Sequence, residues 1–304
     1  MSQQFRILAA VDLSTAGRAA FDQALALSDQ TTELTVVHAV PTSQGFAWRA
    51  RARIALIAQL RQAAEAAGVR LALSVQQGDP VEIILLHATS RQPDLIVLGT
   101  HQRTGLDRLR AGSVAERVAR EATQPVLIVP VRRAAGEATA SFAKVVAAVD
   151  FSAASARAVE WALRMGRSED TRVTLLHVIR AESSAHAPRY LYRLGAFEFY
   201  RSLAADAWRQ LQDMIPQGDR TQARAHARVV TGDAATQIAR VAAEIDADLI
   251  VVGVRRRGAI ARRIFDATVA RVTRRAACAV LAVPEQALLD RVRSIETARP
   301  ALAA

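Results

Sequence analysis

The chain predicts an α/β fold made of two homologous doubly wound domains, each a five-stranded parallel sheet with helices on both faces. Three observations support this fold class. The sequence repeats itself, each copy alternates short apolar runs with segments of helical period, and the apolar runs are uninterrupted, as in strands covered on both faces. Such an alternation requires parallel strands joined by crossover helices.

The internal repeat consists of five pairs of segments that occur in the same order. The pairs are 5–14 with 143–152, 34–38 with 173–177, 78–79 with 232–233, 94–99 with 248–253, and 125–130 with 279–284. This repeat predicts one domain at 1–131 and a second at 143–284. A linker at 132–142 joins them, and a C-terminal tail occupies 285–304.

Five short apolar strands and four connecting helices are expected in the first copy. The strands are Arg6–Val11, Leu34–Val40, Leu71–Val75, Leu95–Gly99 and Val126–Val131. The helices are Arg18–Leu27, Trp48–Ala67, Val81–Ser90 and Val114–Glu121. The third helix has the best-specified start, because Asp79 supplies an N-cap, Pro80 suits the first helical position and Glu82 stands at the third.

The basic composition has two interpretations, a solvated surface shaped by codon usage or a surface for nucleic acid. The net charge is +11, and 39 of the 40 basic residues are arginine. Because a skew toward Arg alone needs no ligand to explain it, a nucleic-acid partner is not expected. Lys144 is the only lysine, which excludes the lysine-containing P-loop of common ATPases.

Cysteine usage and the length of the apolar runs indicate a cytoplasmic protein without a membrane partner. Cys278 is the only cysteine, so the chain has neither an internal disulfide framework nor a Cys-rich zinc module, and this residue is expected in the core. The apolar runs are far shorter than the ~18–20 residues that span a bilayer. No export leader is expected before Asp12.

Polar residues and glycines follow the predicted strands at their carboxyl ends. Asp12 follows the first strand, residues 38–40 close the second and Gly99 ends the fourth. Ligands of doubly wound sheets bind at that edge, where the strand order reverses. From Gly99 a glycine-containing loop runs to Ser113, before a helix that begins at Val114. Such a loop presents backbone N–H groups and a positive dipole end to a phosphate.

The same residues also have a structural interpretation. A glycine before a helix commonly forms a simple turn. Asp12 and its repeat Asp150 would cap the following helices, or Ser14 and Ser152 would do so. The sequence leaves both interpretations open.

The repeat and its motifs resemble the universal stress protein family in its tandem form, over nearly the whole chain. ATP-binding members of that family carry G-x-x-G, nine residues, and then G-[S/T]. The resemblance implies that the first domain binds an adenine nucleotide, ATP or AMP, with or without Mg²⁺. It further implies a stress-response protein that acts by binding and regulation rather than turnover.

The family's binding positions can be carried over to the first copy residue by residue. Asp12 and the backbone at Ala39 match the positions that hold the nucleoside, and Gln102 stands where the second glycine is expected, with Gly105 nearby. The phosphate positions match Gly99, Gly112 and Ser113, and Val114, which begins the helix, is the last of the expected binding residues.

The second copy departs further from the family pattern. Asp150, Val178 and Gly253 occupy corresponding positions, but Arg256, Asp266 and Ala267 stand where the pattern has Gly, Gly and Ser. A carboxylate at Asp266 opposes phosphate. We therefore expect a degenerate second site and nucleotide in the first domain only.

An insertion enlarges the second copy between its second and third strands. From His177 to Gly232 there are 55 positions, against 40 from His38 to Gly78, so 15 residues are added. The insertion holds Tyr190, Tyr192, Phe197, Phe199 and Tyr200. These aromatics indicate helix packing, a surface for a partner or an apolar ligand, or stacking on nucleic acid.

Other constellations are weak. The six histidines form no H-x-x-x-H pair, so no metal site is expected, and His38 and His177 should end buried strands with one ring nitrogen bonded to the backbone. No catalytic residues are recognisable.

The last strands, Val126–Val131 and Val280–Val283, would pair to form an intramolecular pseudo-dimer, or a homodimer would cover them. Two functions compete with nucleotide binding. One is a scaffold that binds no nucleotide and has an unidentified protein partner, and the other is a slow ATP hydrolase.

Overall fold

Parallel strands and helices alternate in both copies of the repeat. The computed structural model describes residues 4–42, 50–100, 114–131, 138–166, 170–180, 196–218, 224–255 and 267–285. The described residues up to Ala140 form one compact unit, called unit 1, and Ser141–Glu285 contains a second, called unit 2.

Unit 1 contains five strands and four helices in its described residues. The strands are β1 (Arg6–Ala10), β2 (Glu33–Val40), β3 (Arg70–Gln77), β4 (Leu95–Thr100) and β5 (Val126–Pro130). The helices are α1 (Thr15–Ala26), α2 (Ala50–Ala66), α3 (Pro80–Arg91) and α4 (Val114–Glu121).

Unit 2 repeats this order in its described residues. The strands are β6 (Lys144–Val149), β7 (Arg172–Ile179), β8 (Ala225–Thr231), β9 (Leu249–Val254) and β10 (Ala279–Pro284). The helices are α5 (Ala153–Met165), α6 (Ala196–Met214), α7 (Ala234–Glu244) and α8 (Ala267–Arg275). No helix in the described part of the chain is long and apolar enough to cross a membrane.

Both units have the same doubly wound sheet. The strand order is β3-β2-β1-β4-β5 in unit 1 and β10-β9-β6-β7-β8 in unit 2, and the strands pair in parallel within each unit. β1 pairs with β2 from Arg6 opposite Glu33 and with β4 from Ile7 opposite Leu95. The strand order therefore reverses on the two sides of β1, and the predicted fold class is confirmed.

The strands form the core of each unit. Residues Leu95–Leu98 of β4 are at most 3% exposed, and Phe21 of α1 is fully buried. Burying such side chains supplies about 1.5–3 kcal/mol each before the entropy cost of ordering them. Cys278 is buried, as expected.

Serine, not aspartate, caps the first helix of each unit. The Ser14 side chain accepts a hydrogen bond from the Gly17 backbone N–H at 3.1 Å, and Ser152 accepts one from Ser155 at 3.2 Å. Because Ser14 caps it, α1 begins at Thr15, three residues before its predicted start. Asp79 caps α3 as predicted, accepting from Val81 at 2.9 Å and Glu82 at 3.1 Å.

The repeated aspartates at the start of β4 and β9 have a structural role. The Arg6 backbone N–H donates to Asp94 Oδ2 at 2.8 Å. In unit 2, Ala143 and Lys144 donate to Asp248 Oδ2 at 2.9 and 3.0 Å. These carboxylates join neighbouring strands at the amino edge of each sheet, opposite the carboxyl edge.

Candidate functional site

A cavity of about 360 Å³ opens at the carboxyl edge of the unit 1 sheet. It lies beyond β1 and its two neighbours, β2 and β4, where the strand order reverses. This is the position at which open α/β sheets bind ligands, and the volume is at the low end of the ligand-pocket range of about 300–1,000 Å³. Its wall includes the ends of three strands and the starts of four helices, among them Asp12, Ser14, Gly17, His38, Ala39, Pro41, Arg53, Pro80, Ile84, Gly99, Val114 and Ala115.

Asp12 is an exposed carboxylate in the turn between β1 and α1. Its Oδ1 accepts hydrogen bonds from the Ser14 backbone N–H, at 3.1 Å, and from the Ser14 hydroxyl. Among the described residues, Asp12 has no basic partner and Oδ2 accepts no hydrogen bond. Because an ionised carboxylate only accepts hydrogen bonds, Asp12 offers the cavity an acceptor for a ligand's hydroxyl groups.

Two glycines let the backbone of unit 1 close around this carboxylate. A Cβ on Gly17 would collide with the Asp12 side chain and would lie 2.5 Å from its backbone N. A Cβ on Gly99 would collide with the Ala16 carbonyl group. Gly99 therefore has a packing role of its own, because it allows β4 to approach the first turn of α1.

The end of β2 forms the opposite wall. His38 Nδ1–H donates to the Val11 carbonyl oxygen at 2.7 Å, and His177 Nδ1–H donates to Val149 at 2.8 Å, so the predicted backbone contacts of both histidines are present. The His38 bond ties the end of β1 to β2. Ala39 follows in β2 and lines the cavity.

The start of α4 lies on the β4 side of the cavity. Val114 and Ala115 line the wall, and Val114 is 37% exposed. The positive end of a helix dipole favours an anion at this position. The structure thus brings together Asp12, Ala39, Gly99 and Val114, whereas Gly112, Ser113, Gln102 and Gly105 lie outside the described residues.

The sequence interpretation missed Arg53, which also lines the cavity. This side chain belongs to the first turn of α2 and is only 7% exposed. The sequence shows it as one of several arginines near the helix start. The sequence did contain a signal for Arg53. A helix that follows β2 must begin at the carboxyl edge of the sheet, so the arginines of its first turn lie near that edge.

The corresponding edge of unit 2 is arranged differently. Arg255, directly after β9, forms an ion pair with Asp150 Oδ2. Burial raises the pKa of Asp150, but hydrogen bonds from Ser152 and Arg255 outweigh it, so the pKa lies below the usual range of an aspartate. The carboxylate that corresponds to Asp12 thus already has a cationic partner.

The residues next to Asp150 also differ from unit 1. Ser155 stands at the position of Gly17, and Phe151 at the position of Leu13. Phe151 has φ +60°, a left-handed conformation that is strained for a bulky side chain, and its ring packs on His177 with centroids 4.6 Å apart.

The other second-unit positions are only partly within the described residues. Val178 lies in β7. Gly253 packs against the first turn of α5, since a Cβ added to it would be 2.5 Å from the Ala154 carbonyl carbon. Arg256 and Asp266 lie outside the described residues, as do Tyr190 and Tyr192.

The helix α6, which lies in the enlarged segment between β7 and β8, and the residue after it pack through aliphatic side chains. Ala207, Leu211 and Ile215 are buried, whereas Phe199 and Tyr200 are half-buried, with ring centroids 5.8 Å apart. In the described part of the chain, no group of three His, Cys, Asp or Glu side chains could hold a metal ion.

A sequence model of the universal stress protein family matches residues 5–130 and 141–284. The chain belongs to the universal stress protein family. The family resemblance inferred from the repeat is therefore confirmed, and this universal stress protein has the tandem form.

Individual proteins and solved structures are also similar to this chain. A universal stress protein of Methanocaldococcus jannaschii is 42% identical over 71 residues, which are 23% of this chain and 42% of that relative, so less than half of the relative's length is matched. A universal stress protein structure from Archaeoglobus fulgidus shares the fold, with TM-score 0.64 and 19% identity over 93% of this chain and 97% of that chain. A universal stress protein solved in complex with cAMP is 25% identical and covers 43% of this chain and 99% of its own, with TM-score 0.36.

Proposed function

We propose that unit 1 of this universal stress protein binds an adenine nucleotide, ATP or AMP, and that the chain acts by binding and regulation rather than turnover. The observation that carries the proposal is the cavity at the reversal of the strand order, which brings Asp12, Ala39, Gly99 and Val114 together. These are the described positions at which the family's binding pattern was expected.

The chemistry of the cavity suits a nucleotide from one end to the other. Asp12 can accept hydrogen bonds from the two hydroxyl groups of a ribose. The start of α4 favours phosphate through the positive end of its helix dipole. Gly99 lets β4 approach the first turn of α1, so that the end of β4 and Asp12 line the same cavity.

The proposal confines the nucleotide to unit 1. In unit 2 the Asp150 carboxylate is paired with Arg255, so a ribose would have to displace a charge-assisted hydrogen bond. Val178 and Gly253 stand at positions that correspond to Ala39 and Gly99, beside a carboxylate that already has a partner.

Heat-released supernatant of the purified chain should contain AMP or ATP, detected by chromatography. Added nucleotide at about 100 times its dissociation constant should stabilise the protein by about 2.7 kcal/mol. That corresponds to a rise in melting temperature of roughly 2–4 °C. Asp12→Ala should abolish the rise, and the matched variant Asp150→Ala in unit 2 should retain it.

The competing functions predict different results. A scaffold without nucleotide would show no rise with ATP, ADP or AMP, with or without Mg²⁺. A slow ATP hydrolase would release phosphate from ATP in a turnover assay, and Asp12→Ala would reduce that release.

A further inference from the structure

Arg53 places a buried positive charge in the wall of the unit 1 cavity. Its residue is 7% exposed, whereas Arg51 in the same helical turn is exposed. Removing a charged group from water is costly unless hydrogen-bond acceptors replace the water. Arg53 already takes part in another contact. Because a guanidinium has five N–H donors, it can donate to a ligand in addition to that contact.

The topology places Arg53 at one end of the cavity. β2 and β4 lie on opposite sides of β1. Arg53 belongs to the helix that follows β2, and Pro41 from the end of β2 lines the same cavity. Gly99 and the start of α4 lie on the β4 side. Asp12, at the end of β1, lies between the two ends.

This order of groups determines which part of a nucleotide reaches Arg53. If the phosphates lie at the start of α4 and the ribose at Asp12, the base extends toward β2. The aliphatic side chains of Val40 and Ile84 line the cavity with Arg53, so the wall offers a base both apolar contact and hydrogen-bond donors.

We propose that Arg53 recognises the base and selects purines over pyrimidines. This inference rests on the proposed function of unit 1. A planar guanidinium donates hydrogen bonds to the ring acceptors at the edge of a base. A purine carries the N7 acceptor, which a pyrimidine lacks.

The test is the ratio of AMP affinity to CMP affinity, measured by calorimetry on the full chain. Wild type should bind AMP about tenfold more tightly than CMP, in line with the energy of one hydrogen bond from a charged donor. Arg53→Met, which keeps an apolar stem and has no donor, should weaken AMP binding about tenfold and bring the ratio close to one. Arg51→Met, a change of the same size on the same turn, should leave both affinities unchanged.

The outcomes separate this inference from the proposed function. If wild type binds neither nucleotide, the proposed function is wrong and the inference falls with it. If wild type binds, but Arg53→Met leaves the ratio unchanged, the role of Arg53 is wrong and the proposed function stands. A purely structural role would weaken AMP and CMP equally. If Arg53→Met does not fold, Arg53→Lys decides. Lysine keeps the positive charge but lacks the planar set of donors of a guanidinium, so this variant should also lower the ratio of AMP affinity to CMP affinity.

Discussion

Asp150 forms an ion pair with Arg255, whereas Asp12, at the same position of the repeat, has no basic partner among the described residues. Each aspartate accepts hydrogen bonds from the backbone and hydroxyl of the serine two residues later. Unit 2 therefore satisfies with its own arginine the carboxylate that unit 1 leaves open to its cavity.

The first prediction is a stoichiometry of one nucleotide per chain, measured by calorimetry. Gly112→Asp should abolish binding, because the family pattern expects phosphate at Gly112, and a carboxylate side chain there would add bulk and repel the phosphate. Asp266 stands at the corresponding position of the second copy. Gly218→Asp is the control, since an added Cβ at Gly218 meets no atom within 4 Å, and it should bind as wild type does. Two sites per wild-type chain would refute the asymmetry.

The second prediction concerns Gly17, which packs against Asp12. Gly17→Ser copies the residue at the same position of unit 2, where Ser155 stands. Its Cβ would collide with Asp12 in unit 1, so we expect a loss of about 1–3 kcal/mol in the free energy of unfolding, typical of overpacking, and weaker nucleotide binding. Denaturant unfolding and calorimetry measure the two effects. Gly218→Ser should change neither, and equal stability of Gly17→Ser and wild type would contradict the close packing.

The third prediction is a pH dependence that originates from Asp150. Its pKa is lowered in the folded state, since the hydrogen bonds from Ser152 and Arg255 outweigh burial. A lowered pKa stabilises the protein above the pKa of the unfolded chain, and the stabilisation is lost as the pH falls toward the folded value. The free energy of unfolding of wild type should therefore exceed that of Asp150→Asn near neutral pH, and the difference should shrink as the pH falls through and below about 4, the ordinary pKa of an aspartate.

Urea unfolding at several pH values measures this difference. Arg255→Gln should weaken the same pH dependence, because it removes one of the donors that lower the pKa of Asp150. A difference between wild type and Asp150→Asn that stays constant with pH would show that Asp150 does not contribute through its charge.

The fourth prediction concerns the last strand of each unit. β5 and β10 each stand at one end of the strand order of their own unit. An end strand has unpaired backbone groups that attract other strands. Halves separated within the proposed linker, between Ala134 and Thr139, should therefore dimerise or aggregate in sedimentation experiments. Two monomeric halves would be evidence against the pairing predicted for these strands.

Local sequence signals were sufficient to predict the elements and the fold class. Uninterrupted apolar runs predicted the strands, and Asp79 with Pro80 predicted the start of α3, because a cap depends only on residues within one turn. The ends of other strands were not predicted, because polar residues continue the strand beyond its apolar run. β3 was expected to end at Val75, yet it continues to Gln77 because it pairs with β2 as far as Val40.

The sequence by itself determined the repeat, the doubly wound fold, the family and the carboxyl edge at which Asp12 and Gly99 lie. Only the tertiary structure decided that Arg53 is buried in the wall of the cavity and that Arg255 pairs with Asp150. Arg255 lies 105 positions from Asp150, and the two meet because β6 and β9 are neighbours in the sheet. A charged side chain looks the same in a sequence whether water, a carboxylate or a ligand surrounds it, because its surroundings depend on which strand ends the fold brings together.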